Sequence, residues 1–192
     1  MTIELKNYTL LSEAEQLQLL AIRNSKGVRE SSKDTAIIEV GNHLQWVEKL
    51  KSDDHKLYYA VIVDSILVGG INVVGINSSE TPLWGLFFTC TIQPLISSLV
   101  TYAFLDRMFN THYIDILNSE VNILNINAYR FSLNFGLTVY NQLSDSSGEY
   151  HMMCISKDDW NKNKDSSFPK MIGKRVSKIE FTFSDLKTME QR

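Results

Sequence analysis

Cysteine is nearly missing from this sequence. Cys90 and Cys154 are the only two in 192 residues. Two cysteines build no disulfide framework, so both are expected as small core residues in a reducing compartment. The four histidines, His43, His55, His112 and His151, share no metal-ligand spacing with them, which predicts no metal site. An excess of either charge is also lacking, with 19 Lys and Arg against 22 Asp and Glu. A net charge of −3 argues against a broad nucleic-acid-binding surface. No run approaches the roughly 18 consecutive apolar residues of a membrane helix. The opening MTIELKNYTLLSEAEQ carries acids and has no signal-peptide apolar stretch, so a cytoplasmic protein is expected. Internal repeats and low-complexity tracts are absent from the sequence too.

What remains is ordinary globular material, 44% hydrophobic and 21% charged, in a length that suits one domain with a tail. Ser12-Glu13-Ala14-Glu15 has the S-x-x-E form of a capping box, and apolar residues at helical spacing follow it over 12–25. The polar stretch from Asn24 to Thr35 reads as a loop, and a second helix is expected near 38–51. LYYAVIV (57–63) and ILVGGINVV (66–74) form a hairpin around Asp64-Ser65. Gly69 and Gly70 inside the second strand point to a bulge or a close backbone approach. A strand is expected over 82–89, a helix near 95–109, a strand over 113–117, a helix over 125–135 stopped by Gly136, and a strand over 149–156. Residues 157–167 read as a polar linker. RVSKIEFTF (175–183) alternates enough to form an edge strand, or to pair across a two-fold homodimer. The order describes an α/β (α+β layered) domain over 1–156, followed by a linker and extension over 157–192.

Several short motifs stand in a particular order. They are Ile22-Arg23-Asn24 with Val28-Arg29, then NHLQWVEKL (42–50), the hairpin YAVIVDSILVGGI (59–71), TYAF (101–104), and Asn125 and Ala128 ahead of Asn134-Phe135-Gly136. Together they resemble the acyl-CoA N-acyltransferase (GNAT) superfamily. Within it they are most similar to the N-acetyltransferases of pseudaminic acid biosynthesis. That resemblance implies a mixed, mostly antiparallel sheet, splayed at a central parallel pair. It also implies acyl transfer from acetyl-CoA or another acyl thioester to a primary amine, with a UDP-linked amino-deoxy sugar as the acceptor.

The resemblance also assigns residues. Arg29 and His43 would face the nucleotide sugar, with Trp46 and Trp84 walling a base or sugar face. Phe87, Phe88 and Thr89 would offer backbone to pantetheine, beside Asn125. For proton transfer it offers Glu80 as base. Ser132 stands where many members carry a tyrosine acid, and Tyr129 is its substitute. The usual Gly-rich pyrophosphate loop corresponds here to Thr89–Ser97, which has no Gly, Lys or Arg and includes Pro94. Bare backbone N–H groups are what such a loop supplies, so weak CoA binding is expected. A second reading follows from the same loop and from Ser132: a GNAT-shaped binding or assembly module, or an enzyme served by an acyl carrier protein.

Overall fold

The computed structural model describes residues 1–185; the end of the expected 157–192 extension lies outside them. In chain order the elements are β1 (Thr2–Asn7), α1 (Glu13–Asn24), α2 (Lys26–Glu30), α3 (Val40–Leu50), β2 (Lys56–Val63), β3 (Ile66–Val74) and β4 (Leu83–Phe88). Then come α4 (Pro94–Asn110), β5 (Ile116–Asn122), α5 (Ile126–Asn134), β6 (Thr138–Asp145), β7 (Gly148–Ser156), α6 (Lys157–Asn163), α7 (Ser167–Val176) and β8 (Glu180–Ser184). Among the described residues the strands form one sheet in the order β6-β7-β5-β4-β3-β2-β1-β8. Most neighbours are antiparallel; β4–β5 and β1–β8 are parallel.

Alternation along β2 sets the two layers. Tyr59 and Val61 are buried with α4, whereas Ala60 between them is buried with Leu19 of α1 and Leu50 of α3. Successive strand residues point to opposite faces, so α1 and α3 cover one face and α4 the other. The Ser12 capping box forms as expected, with the Glu15 carboxylate accepting from the Ser12 N–H at 2.7 Å. A Cβ on Gly69 would stand 2.2 Å from the Phe87 carbonyl oxygen, and one on Gly70 2.4 Å from the Tyr8 hydroxyl. Both glycines therefore permit the close approach that their place in a strand suggested. Gly136 takes φ +88° just after α5, a conformation that suits the end of a helix.

Several expectations need correction. β1, α2 and β6 lie where no element was expected. The strand placed at 113–117 begins at Ile116. Residues 157–167 are no linker: α6 occupies most of them and fully buries Trp160. The last strand is Glu180–Ser184, because Arg175 and Val176 finish α7. It pairs in parallel with β1 of the same chain, and Asp185 just beyond it accepts from Tyr59 Oη at 2.6 Å and from Arg107 of α4. Cys90 is exposed and Cys154 half-buried, so Cys90 is not a core residue.

Candidate active site

β4 and β5 touch at one point. Leu83 is in register with Asn118, and the Asn118 N–H donates to the Pro82 carbonyl at 2.8 Å. Beyond that bridge the two strands part. Odd-numbered residues of β4 face β3, since the Thr89 N–H just past the strand donates to Val68 on β3 at 2.8 Å. By alternation the backbone groups of Leu86 and Phe88 point into the opening, free to pair with an extended ligand.

A cavity lies on each side of this opening. The first, of about 690 Å³, is bounded by α1, α3 and the strap between α2 and α3. Gly85 floors it; a Cβ there would meet only Asn72 Oδ1, at 3.6 Å. One end is aromatic. The Trp46 ring lies 4.8 Å from Tyr58 and 6.2 Å from Tyr8, both near-perpendicular, an edge-to-face arrangement that aromatic pairs favour. The second cavity, of about 740 Å³, runs along β4 towards the start of α4 and is bounded by α2 and α5. Its wall is largely apolar, with Val28, Leu86, Phe88, Ile92 and Phe131. Glu120 and Asn122 of β5 line both cavities, as do Trp84 to Phe87.

Glu120 stands two residues past the bridge. It is the carboxylate common to both cavities, and it accepts from Lys33 Nζ at 2.9 Å. Lys33 also lies 3.4 Å from Asp145. The hydrogen bond that Lys33 donates to Glu120, then the charges of Glu120 and Asp145, hold the Lys33 ammonium above its ordinary pKa. His43 is buried with Nε2 unpartnered among the described residues, and burial lowers its pKa. Arg23 is half-buried. Its Nη2 donates to the Asp34 carbonyl at 3.0 Å while Nη1 is buried without a partner, and burial lowers its pKa. A buried guanidinium N–H left unpaired is costly, so this edge of the cavity is suited to an anionic or carbonyl-bearing ligand.

The expected site residues divide. His43 and Trp46 line the first cavity, Phe88, Asn125 and Ser132 the second, and Trp84 and Phe87 both. The Trp84 ring packs 6.1 Å from Phe104 of α4, so it serves the core as much as either cavity. Asn125 caps α5, accepting from the Ala128 N–H at 3.0 Å. Five expectations fail geometrically. Glu80 is exposed in the turn before β4 and lines neither cavity. Tyr129 turns to His151, ring centres 4.8 Å apart. The Thr89 N–H is engaged by Val68, and the Phe87 backbone likewise faces β3 and not the opening. Arg29 lines neither cavity; its Nε and Nη1 donate to the Asn24 and Thr35 carbonyls at 3.1 and 2.8 Å. In its place the structure brings Arg23 from the same Ile22-Arg23-Asn24 motif, with Lys33 and Glu120, which no sequence signal marked. Among the described residues no group of three or more His, Cys, Asp or Glu is placed to hold a metal, and no helix is long and apolar enough to cross a membrane.

The splayed pair in a mostly antiparallel sheet, and the crossover helix α4 beside it, recur in solved N-acetyltransferases. The spermidine N-acetyltransferase of Vibrio cholerae, in complex with CoA and spermine, superposes with a TM-score of 0.73 at 12% identity, over 83% of this chain and 97% of that one. The chain has the fold of the GNAT N-acetyltransferases. Its similarity narrows to one kind of member. The acetyltransferase PseH of Campylobacter jejuni is 27% identical over 161 residues, covering 82% of this chain and 96% of the relative. A crystal structure of PseH from that organism with acetyl coenzyme A has a TM-score of 0.63 at 21% identity, over 80% of this chain and 98% of that one. No protein-family model matches the chain.

Proposed function

We propose that this protein is an N-acetyltransferase that takes acetyl-CoA in the second cavity and a small primary amine in the first. The observation that carries the reading is Glu120, one carboxylate open to both cavities at the point where β4 and β5 part. The acceptor enters as an ammonium ion and Glu120 removes its proton. The free amine then attacks the thioester carbon, held nearby by backbone pairing along β4. The effects at work are proximity and general-base catalysis. The Leu86 N–H, turned into the opening, is suited to the oxyanion. The tetrahedral intermediate collapses with loss of the thiolate, which takes up a proton as CoA leaves. Ser132 is buried in the wall of the second cavity, at the position where the resembled members carry a tyrosine acid.

For the acceptor, the aromatic end and the Arg23–His43 edge suit an amino-sugar nucleotide. The rings would cover a uracil face, and the guanidinium would bind a diphosphate oxygen. The likeness to the acetyltransferase PseH supports the acetyl transfer itself. The test is release of free thiol from acetyl-CoA with a panel of amines: a UDP-linked 4-amino sugar, the free amino sugar, spermidine and an aminoglycoside. Turnover with the first and little with the rest supports the reading. Turnover with spermidine alone would move the acceptor to polyamines, and no thiol release with any amine would remove the activity.

A further inference from the structure

An amine already stands at the proposed reaction centre. Lys33 is, among the described residues, the only lysine that lines the first cavity. Its Nζ lies 2.9 Å from Glu120 and 5.2 Å from the centre of the Tyr150 ring. An acceptor ammonium would have to occupy this same position to give its proton to Glu120. The strap that carries Lys33 is tied down on both sides. Arg23 donates to the carbonyl of Asp34, Arg29 to that of Thr35, and Asn24 exchanges two hydrogen bonds with Ile38, at 2.8 and 3.0 Å. The lysine is therefore delivered to the carboxylate by a braced loop, the kind of positioning that turns a collision into an intramolecular step.

We propose that Lys33 is an internal acceptor, so that the acetyl-CoA-loaded protein acetylates its own Lys33. The proposal rests on the acetyl-transfer reading above. Glu120 takes a proton from the Lys33 ammonium, and the nitrogen lone pair forms the C–N bond at the thioester carbonyl. The C–S bond breaks, and the thiolate leaves with a proton as CoA. The product is an amide on Lys33, with nothing oxidised or reduced. The amide carries no charge, so the pairs with Glu120 and Asp145 are lost and the carboxylate becomes available to an external amine. Because those pairs favour the ammonium form of Lys33, the rate rises with pH across the neutral range.

The whole protein is incubated with acetyl-CoA and no added amine, and acetylation of each lysine is followed by peptide mass spectrometry. Lys56 is the internal reference, since it is also paired with a carboxylate, Asp53, at 2.7 Å but lines neither cavity. Lys33 is expected to react about a hundredfold faster than Lys56, the low end for a positioned base. Lys33→Arg should abolish the modification, and Glu120→Gln should slow Lys33 to the Lys56 rate. A melting-temperature titration with acetyl-CoA runs in parallel. If acetyl-CoA binds and an external amine is acetylated, while Lys33 reacts no faster than Lys56, the self-acetylation is overturned and the acetyltransferase reading stands. Equal Lys33 rates with and without the Glu120 carboxylate also overturn it. Absence of both binding and transfer removes the activity itself, and the proposal with it.

Discussion

The two cavities differ in how they hold polar groups. The first cavity concentrates charge: Arg23, His43, Lys33 and Glu120 meet within it beside Asn72, and two of these groups are buried without partners among the described residues. The second cavity has no arginine or histidine; serines and asparagines, with Lys26 and Glu120, line it beside backbone along an open strand edge. At the start of α4 the usual glycine cradle is missing. Pro94 occupies the first helical position, and the Ile96 N–H is taken by the Gln93 carbonyl at 2.9 Å. Lys26 lines this cavity but is well exposed. One cavity therefore offers desolvated cationic and imidazole groups, the other neutral hydroxyls, amides and open main chain. A buried side-chain cation is expensive to leave unpaired and so selects its ligand sharply. An open strand edge accepts any extended chain.

The contrast breaks most sharply at the residue the cavities share. Glu120→Gln should lower kcat about 10²- to 10⁴-fold, the contribution of a positioned general base, with acetyl-CoA affinity unchanged; steady-state kinetics and a binding titration separate the two. Next is the acceptor side alone. Arg23→Ala should weaken acceptor binding by about 1.5–3 kcal/mol, the range for a charged hydrogen bond, and leave acetyl-CoA binding intact by calorimetry. Arg29→Ala, by contrast, should act mainly through the melting temperature, since its donors hold the strap and not the ligand. Equal acceptor losses for the two arginines would show that the strap, not Arg23, sets affinity. On the donor side, acetyl-CoA should bind with a Kd above roughly 100 µM, weaker than about −5.5 kcal/mol. Low-micromolar binding would mean that main chain and Lys26 compensate for the missing glycines. The same titration with an acylated carrier protein asks whether that donor is preferred.

The smallest effect is on acid stability. Burial lowers the His43 pKa from 6.5, and burial beside Arg107 does the same for His112. The unfolded chain then binds protons before the folded one does. Stability is therefore unaffected well above pH 6.5 and falls as pH drops through that value. Glu15, held down by Lys6, and Asp145, held down by Ser147, extend the loss to lower pH. Melting curves between about pH 5 and 8, the range in which histidine titrates, should slope downward towards acid. His43→Gln and His112→Gln should each flatten part of that slope.

Local signals were legible where one residue type has one physical consequence. The Ser12–Glu15 box, the hairpin around Asp64-Ser65 and the Gly136 stop each follow from steric or hydrogen-bonding rules that need no tertiary partner. β6 escaped because every residue of TVYNQLSD is exposed, so no alternation of burial marks it. α6 escaped for a related reason: its burial rests on Trp160 alone within a polar run. His43 and Trp46 came from the family resemblance of NHLQWVEKL, and they line the first cavity. Arg29 was preferred to Arg23 because spacing does not reveal which guanidinium turns inward and which turns back to Asn24 and Thr35.

By itself the sequence determined the crossover between β4 and β5, and hence a parallel pair in a layered α/β domain, though not β1, α2, β6, α6 or α7. Periodicity and chain connectivity are local properties, and a helical crossover forces parallel strands. Tertiary structure alone decided that the pair parts after a single bridge, that Glu120 rather than Glu80 stands in the opening, and that Lys33 reaches across 87 residues of chain to meet it. Those placements depend on where packed layers bring distant segments, and no local pattern encodes that distance.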